Sequence, residues 1–172
     1  MNPLNLVENN ARLASILTQL SQPRHVLELG CGASPDALAF YSVNPKTLLL
    51  GVDRDPQALK QAGRHVPAAR FMQADVGGLP IPLNLCFDRV IVRHPDIAKC
   101  PIAWKKSFTA LPRVLSASGG LVVTTYTVPE LEEVRNWLSM TTFYRVELET
   151  NRLAAPGLLG RDACMMHWCL LP

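Results

Sequence analysis

The chain has 172 residues, of which 48% are hydrophobic and 18% charged, and its formal net charge is +3. This length accommodates one domain with a full hydrophobic core and is too short for two ordinary domains, so we expect a single domain over residues 1–172. The composition is typical of a globular protein and excludes a disordered chain or a coiled coil.

The apolar runs are short, and none approaches the roughly 20 residues that a membrane-spanning helix needs. The opening residues, MNPLNLVENN, lack the basic and then apolar order of a secretory signal. We therefore expect a cytoplasmic protein without a membrane partner. The five cysteines and four histidines show no metal-ligand spacing, so neither a disulfide scaffold nor a metal site is predicted.

Short β-type runs alternate with helical stretches along most of the chain. A first segment with leucines at helical spacing predicts a short helix at about 4–20. Strands are predicted at 25–30, 47–53, 70–74, 87–92 and 120–126, and helices at 35–42, 56–65, 99–116 and 129–140. Within the third of these helices, Pro112 is expected to bend or divide the helix. The alternation is typical of a parallel α/β sheet.

The last third of the chain breaks this alternation. Two β-type runs, YRVELETNR and CMMHWCLL, are separated only by LAAPGLLGRDA. Two strands with a short connection predict an antiparallel hairpin. The predicted fold is therefore α/β, with a doubly wound, mostly parallel seven-stranded sheet and an antiparallel C-terminal edge hairpin.

The first strand-to-helix turn, ELGCGASPDA, has the composition of a cofactor site. Gly30 and Gly32 can adopt backbone angles closed to other residues and let a ligand approach the main chain. Ser34 and Pro35 are typical of a helix start, with Ser34 as the N-cap. Asp53 ends the second strand, where an acid can accept hydrogen bonds from ribose hydroxyls.

Two cofactor types fit these features, a nicotinamide dinucleotide and an adenosyl sulfonium compound. A dinucleotide fingerprint has a third glycine where this chain has Pro35, and it places a pyrophosphate at the helix N-terminus. Asp36 would repel that pyrophosphate but not a cofactor with a positive sulfur and no phosphate. The turn therefore favours the sulfonium cofactor, and a tight turn whose glycines serve only packing is the alternative.

Five segments follow one another between about residues 25 and 126: VLELGCGAS, LLLGVDRDPQAL, RFMQADVGGLPIP, FDRVIV and LPRVLSASGGLVVTTY. This series resembles the successive motifs of the class I S-adenosylmethionine-dependent methyltransferases. The terminal hairpin fits the reversed edge strand of that family. The resemblance implies a Rossmann-like methyltransferase fold, S-adenosylmethionine as the cofactor, and methyl transfer to an acceptor that the motifs do not identify.

The resemblance also implies where the methionine end of the cofactor binds. Glu28, Gly30 and Gly32 would line it. Cys31, inside the same turn, is included among the candidate cofactor-binding residues, with a small buried residue as the alternative interpretation. Ser34 stands where the family often carries a third small residue in the glycine turn, which is a mild departure.

The other cofactor-binding residues follow the second and third strands. The resemblance implies that Asp53 holds the ribose and that Asp75 and Val76 meet the adenine. Arg54, next to Asp53, is included in the same set. Asp55 is interpreted instead as a helix N-cap, because a proline follows it.

In this family the tip of the fourth strand lies beside the sulfonium, and here that tip is Arg93, His94, Pro95 and Asp96. These residues are the candidates for the acceptor side. A base is needed only if the acceptor loses a proton, and His94 is the candidate catalytic base. In the alternative interpretation Pro95 closes the strand, Asp96 begins the next turn and His94 packs locally.

Three features bear on the partner. The chain lacks the Asn/Asp-Pro-Pro-aromatic loop of many methyltransferases that act on exocyclic or amide nitrogen, which makes such acceptors less favoured.

A basic stripe formed by Lys99, Lys105, Lys106 and Arg113 could meet nucleic acid phosphates, although a solvated helix face is the favoured interpretation. Only about 24 residues precede the first strand, so we expect an open site, suited to a large substrate or closed by a partner or a homo-oligomer.

The leading hypothesis is an S-adenosylmethionine-dependent methyltransferase. A second hypothesis is a catalytically silent member of the fold that serves as a binding or regulatory protein. A third is an NAD-dependent oxidoreductase.

Overall fold

The computed structural model describes residues 23–34, 37–80 and 86–141, and the backbone of two strands at 144–147 and 164–170. The helix predicted at 4–20 and the connection between the last two predicted strands lie outside these residues. The strands are β1 (His25–Leu29), β2 (Leu48–Asp53), β3 (Arg70–Gln73), β4 (Phe87–Arg93), β5 (Leu115–Thr125), β6 (Tyr144–Glu147) and β7 (Cys164–Leu170). The helices are α1 (Ala37–Val43), α2 (Pro56–His65), α3 (Pro101–Ala110) and α4 (Val128–Ser139), with short 3-10 turns at Val76–Gly78 and Leu111–Arg113.

The strands form one sheet in the order β3-β2-β1-β4-β5-β7-β6. Neighbouring strands among β1 to β5 are parallel, which confirms the predicted parallel α/β sheet. The backbone of β7 pairs antiparallel with β5, and β6 pairs antiparallel with β7. Chain order reverses between β1 and β4, so the crevice that can hold a ligand lies at the carboxyl ends of these strands.

Helices cover both faces of the sheet, because successive strand residues send their side chains to opposite faces. On one face α3 and α4 contribute the buried side chains of Trp104, Phe108 and Trp137. On the other face α1 contributes Phe40, and Val66 follows α2. This arrangement is the doubly wound one that the alternation of elements predicts. No helix in the described part of the chain is long and apolar enough to cross a membrane.

The third predicted helix is shorter than the sequence pattern indicates. The prediction of a helix over 99–116 was wrong at its end, because α3 stops at Ala110 and β5 already begins at Leu115. Pro112 has no amide hydrogen to continue the helical bonding, and it lies in the 3-10 turn that follows α3. Leu115 then pairs with Phe87 of β4. The chain therefore leaves the helix next to Pro112, where the sequence predicted a bend or a division.

The start of α2 agrees with the sequence. The carboxylate of Asp55 accepts hydrogen bonds from the backbone N–H groups of Gln57 and Ala58, and Pro56 is the first helical residue. Asp55 is therefore the N-cap of α2, as predicted.

Candidate functional site

A pocket of about 250 Å³ opens at the carboxyl ends of β1 to β4. It brings together residues predicted for the cofactor side and for the acceptor side. The predicted residues that line it are Gly30, Asp53, Arg54, Asp75, Val76, His94 and Asp96. Among the described residues, five other candidates are not part of the lining: Glu28, Cys31, Gly32, Arg93 and Pro95.

The glycine turn after β1 exposes main chain to the pocket. Gly30 has a φ of +67°, and its N–H donates a hydrogen bond of 2.8 Å to the carbonyl of Val52 on β2. A β-carbon at Gly30 would lie 3.2 Å from the ring of Trp104. Gly32 has a φ of +52°, and no described atom lies within 4 Å of the place where its β-carbon would be. Both positions favour glycine, and Gly30 also lines the pocket.

The carboxylate of Asp53 is held in one orientation by the main chain. One oxygen accepts a hydrogen bond of 2.8 Å from the N–H of Gly32, and the other accepts one of 2.8 Å from the N–H of Asp55. A carboxylate has about four acceptor positions, so two backbone donors leave capacity for two further donors. The two adjacent hydroxyls of a ribose would supply such a pair of donors.

The buried carboxylate of Glu28 is hydrogen-bonded to the end of the glycine turn. Glu28 is only 3% exposed, and the hydroxyl of Ser34 donates a hydrogen bond of 2.6 Å to its carboxylate. Ser34 has a φ of +45°, so it lacks the extended backbone of the N-cap that the sequence predicted. A left-handed backbone favours glycine at this position. Ser34 adopts this backbone while its hydroxyl donates the hydrogen bond to Glu28.

Cys31 lies in the interior and is 5% exposed. Its sulfur packs against Gly51, where a β-carbon would lie 2.9 Å from the Sγ atom. Burial raises the pKa of the Cys31 thiol, and the negative charges of Glu28 and Asp53 raise it further. The thiol is therefore neutral at physiological pH, which supports the alternative interpretation of Cys31 as a small buried residue.

The tip of β3 forms the third wall of the pocket. The carboxylate of Asp75 accepts a hydrogen bond of 2.7 Å from the N–H of Gly77 and so caps the turn at Val76–Gly78. The N–H of Ala74 donates to the carbonyl of Asp53, which fixes this tip against β2. An adenine edge presents an amino donor and ring-nitrogen acceptors, which a carboxylate and a main-chain N–H can match.

His94 marks the tip of β4 and has an unusual backbone. Its φ is +49°, and its N–H donates a hydrogen bond of 2.9 Å to the carbonyl of Thr124 on β5. Its ring is stacked on that of Tyr126, with the ring centroids 4.1 Å apart and the planes inclined by 14°. The structure therefore answers part of the question raised by the sequence, since His94 lines the pocket and also packs locally.

Charged groups surround the rim next to His94. Asp96 forms an exposed ion pair with Lys99, with 2.9 Å between the carboxylate oxygen and the ammonium nitrogen. The hydrogen bond from Lys99 lowers the pKa of the Asp96 carboxyl, and the charge of Arg54 adds to this effect. The guanidinium of Arg54 also reaches to 3.5 Å from the sulfur of Cys100.

Four lining residues were missed by the sequence reasoning: Ala74, Cys100, Ala103 and Trp104. The last three are spaced as positions i, i+3 and i+4, which share one face of a helix. Trp104 belongs to the hydrophobic core, and its ring also borders Gly30. Helical periodicity indicates which side chains face inward but not that the inward face also borders a pocket.

Three of the four residues of the basic stripe border a groove outside the pocket. Lys99 is paired with Asp96, whereas Lys105, Lys106 and Arg113 border an outer groove along α3. Contact with nucleic acid remains a prediction.

The comparisons with known proteins agree with this geometry. A family model described as a methyltransferase domain matches residues 20–163. The trans-aconitate 2-methyltransferase of Acidovorax sp. (strain JS42) is 30% identical over 124 residues, which are 67% of this chain and 44% of the relative. The chain spans less than half the length of the curated relatives it matches.

Solved structures share the fold at low sequence identity. The N-methyltransferase NodS from Bradyrhizobium japonicum WM9 matches with a TM-score of 0.76 at 14% identity, over 99% of both chains. The amino pentose methyltransferase CalS10 from Micromonospora echinaspora, solved with SAM bound, matches with a TM-score of 0.73 at 13% identity, over 95% of this chain and 91% of CalS10. These structures show the shared fold, and the family model with the relative of 30% identity establishes that the chain belongs to the class I S-adenosylmethionine-dependent methyltransferases.

Proposed function

We propose that the protein is an S-adenosylmethionine-dependent methyltransferase whose acceptor enters beside the tips of β4 and β5. The observation that carries this proposal is the Asp53 carboxylate, which two backbone N–H groups hold in place at the wall of the pocket. An acid fixed in this way binds a diol without having to be ordered first, so less entropy is lost on binding.

The residues of the pocket fit each part of the cofactor. The main chain at Gly30 would meet the methionine end, Asp53 would accept from the ribose hydroxyls, and Asp75 with Val76 would meet the adenine edge. S-adenosylmethionine, when bound, supplies a methyl group activated on a positive sulfur. The chain's own residues would fix the two reactants in line, and orientation of this kind contributes about 7–11 kcal/mol to a rate.

A carboxylate-bearing small molecule is the acceptor class that we propose. The curated relatives are named for trans-aconitate, and the cationic Arg54 lines the pocket together with His94. A carboxylate is already deprotonated at neutral pH. His94 would then orient the acceptor as a hydrogen-bond donor, and no general base would be needed.

We also propose that the working domain has the seven-stranded sheet with an antiparallel edge hairpin. The antiparallel backbone pairing of β7 with β5 and β6 supports this proposal. Two alternatives remain to be distinguished by experiment: a catalytically silent binding protein and an NAD-dependent oxidoreductase.

Thermal unfolding with added ligand tests the cofactor. S-adenosylmethionine and S-adenosylhomocysteine, each at 100 times its dissociation constant, are expected to stabilise the fold by about 2.7 kcal/mol. Asp53→Ala is expected to remove most of this stabilisation. Asp55→Ala is the matched control, because it removes the N-cap of α2 and costs about 1 kcal/mol but leaves the ligand effect intact.

The same purified protein is then supplied with methyl-labelled S-adenosylmethionine and trans-aconitate, followed by a panel of other carboxylates. Labelled product is expected and would exclude the silent binding protein. Ligand stabilisation without product from any carboxylate would contradict the acceptor class while leaving the cofactor assignment in place. Stabilisation by NAD and by neither adenosyl compound would contradict the proposed function itself.

A further inference from the structure

Tyr126 is exposed beside the pocket and was not among the predicted site residues. It directly follows β5, whose Thr124 pairs in register with Arg93 at the end of β4. Parallel neighbours end at the same edge of the sheet, which brings the Tyr126 ring over the ring of His94 at a centroid distance of 4.1 Å. Tyr126 remains 45% exposed, so burial of its own ring does not explain its placement.

The backbone of His94 requires support from its neighbours. A residue with a β-carbon is disfavoured in the left-handed region, and such a conformation persists where the surroundings fix it. At His94 two contacts from the β5 side act together, the carbonyl of Thr124 on its N–H and the ring of Tyr126 on its imidazole. The result is a histidine that lines the pocket and whose ring is covered on one face by Tyr126.

The backbone of Tyr126 is itself fixed by the start of α4. Its N–H donates a hydrogen bond of 3.0 Å to the carboxylate of Glu130, and the N–H of Thr127 donates one of 3.1 Å to the same oxygen. Thr127 and Glu130 also form the capping box of α4. The backbone that carries the Tyr126 ring is therefore hydrogen-bonded to the capped start of α4.

We propose that Tyr126 is a positioning residue of the acceptor site, and that its ring holds the His94 imidazole where an acceptor will contact it. This proposal rests on the proposed function. Tyr126 acts through His94, so its removal changes how His94 meets a ligand while the residues that hold the cofactor remain in place. The stack is an aromatic contact, so phenylalanine can replace tyrosine in this role.

The experiment compares Tyr126→Leu with Tyr126→Phe by NMR of protein carrying ¹³C-labelled histidine, with and without S-adenosylhomocysteine. In Tyr126→Leu the ring-proton signals of His94 are expected to move downfield, because the ring current of Tyr126 is lost. Their response to S-adenosylhomocysteine is expected to shrink, while its dissociation constant stays within about twofold of wild type. Tyr126→Phe is expected to restore both the signal positions and the response.

The control is Val128→Ala, which alters another exposed residue of the same segment without changing the stack. His94 signals that keep their wild-type positions in Tyr126→Leu would overturn the proposal, as would a Tyr126→Phe protein that behaves like Tyr126→Leu. Failure of S-adenosylhomocysteine to bind wild type would contradict the proposed function instead. In that case the ligand-free spectra still decide whether Tyr126 holds His94.

Discussion

The two sides of the pocket are built in different ways. On the cofactor side, at the tips of β1 to β3, main-chain N–H groups hold the carboxylates of Asp53 and Asp75. The donors from Asp55 and Gly77 lie two residues further along the chain, and the donor from Gly32 belongs to the glycine turn after β1. On the acceptor side, at the tips of β4 and β5, the arrangement depends on side chains: His94 stacks on Tyr126, and an exposed ion pair forms the rim. The first side is specified by local motifs. The second depends on which side chains meet across two strands, so it can vary with the acceptor.

The largest effect on stability is expected from Gly30→Ala on the cofactor side. A β-carbon there meets a left-handed backbone and the ring of Trp104 at 3.2 Å. We expect the free energy of unfolding to fall by about 2 kcal/mol. The affinity for S-adenosylhomocysteine should fall as well, because the rearranged turn lies against the pocket. Urea unfolding and calorimetric titration measure the two effects.

Gly63→Ala is the matched control for Gly30. Gly63 lies in α2, and no atom of the described residues is within 4 Å of the place where its β-carbon would be. Alanine there should stabilise the protein by about 0.5–1 kcal/mol, because glycine loses more conformational freedom in a helix. A Gly30→Ala protein as stable as wild type would show that the turn is not fixed as described.

The difference between the cofactor side and the acceptor side also explains which parts of the site could be predicted from the sequence. Alternating strands and helices predicted the parallel sheet. Gly30 and Asp53 were predicted from the glycine turn after the first strand and the acid at the end of the second strand, whereas Asp75 followed from the resemblance to the methyltransferase family. The stack of His94 on Tyr126 could not be predicted, because the two residues are 32 positions apart and meet only through the pairing of β4 with β5. The early start of β5 was missed for the same reason, since Leu115 becomes a strand residue by pairing with Phe87.

The acceptor side is tested next by comparing His94→Gly with His94→Ala. Both substitutions remove the imidazole and its stack, but only alanine keeps a β-carbon at a φ of +49°. We expect His94→Gly to be the more stable of the two by about 1 kcal/mol in urea unfolding. At Glu133, an exposed residue within α4, the order should reverse, because glycine costs about 1 kcal/mol relative to alanine in a helix. The same order at both sites would mean that the backbone of His94 is not strained.

The smallest effect is expected at the rim, where Lys99→Gln removes the partner of Asp96. The pKa of the Asp96 carboxyl should rise toward its ordinary value, because the hydrogen bond from Lys99 is the main cause of its lowering. The return should be partial, since the charge of Arg54 still favours the ionised form. Carboxyl ¹³C NMR over a pH titration measures this change. Lys106→Gln serves as the control, because it removes a charge from α3 without breaking this pair.

The ion pair also sets a sign for the dependence of stability on pH. The folded pKa of Asp96 lies below its unfolded value, so the pair stabilises the fold above the unfolded pKa, and this contribution is lost as the pH falls through the folded pKa. Because Lys99 is 78% and Asp96 44% exposed, solvent screens the pair, and Lys99→Gln should leave the unfolding midpoint in urea unchanged within error. A large loss of stability would mean that the rim is fixed as firmly as the cofactor side. The contrast between the two sides would then not hold, and variation in the acceptor would require changes deeper in the fold than these exposed side chains.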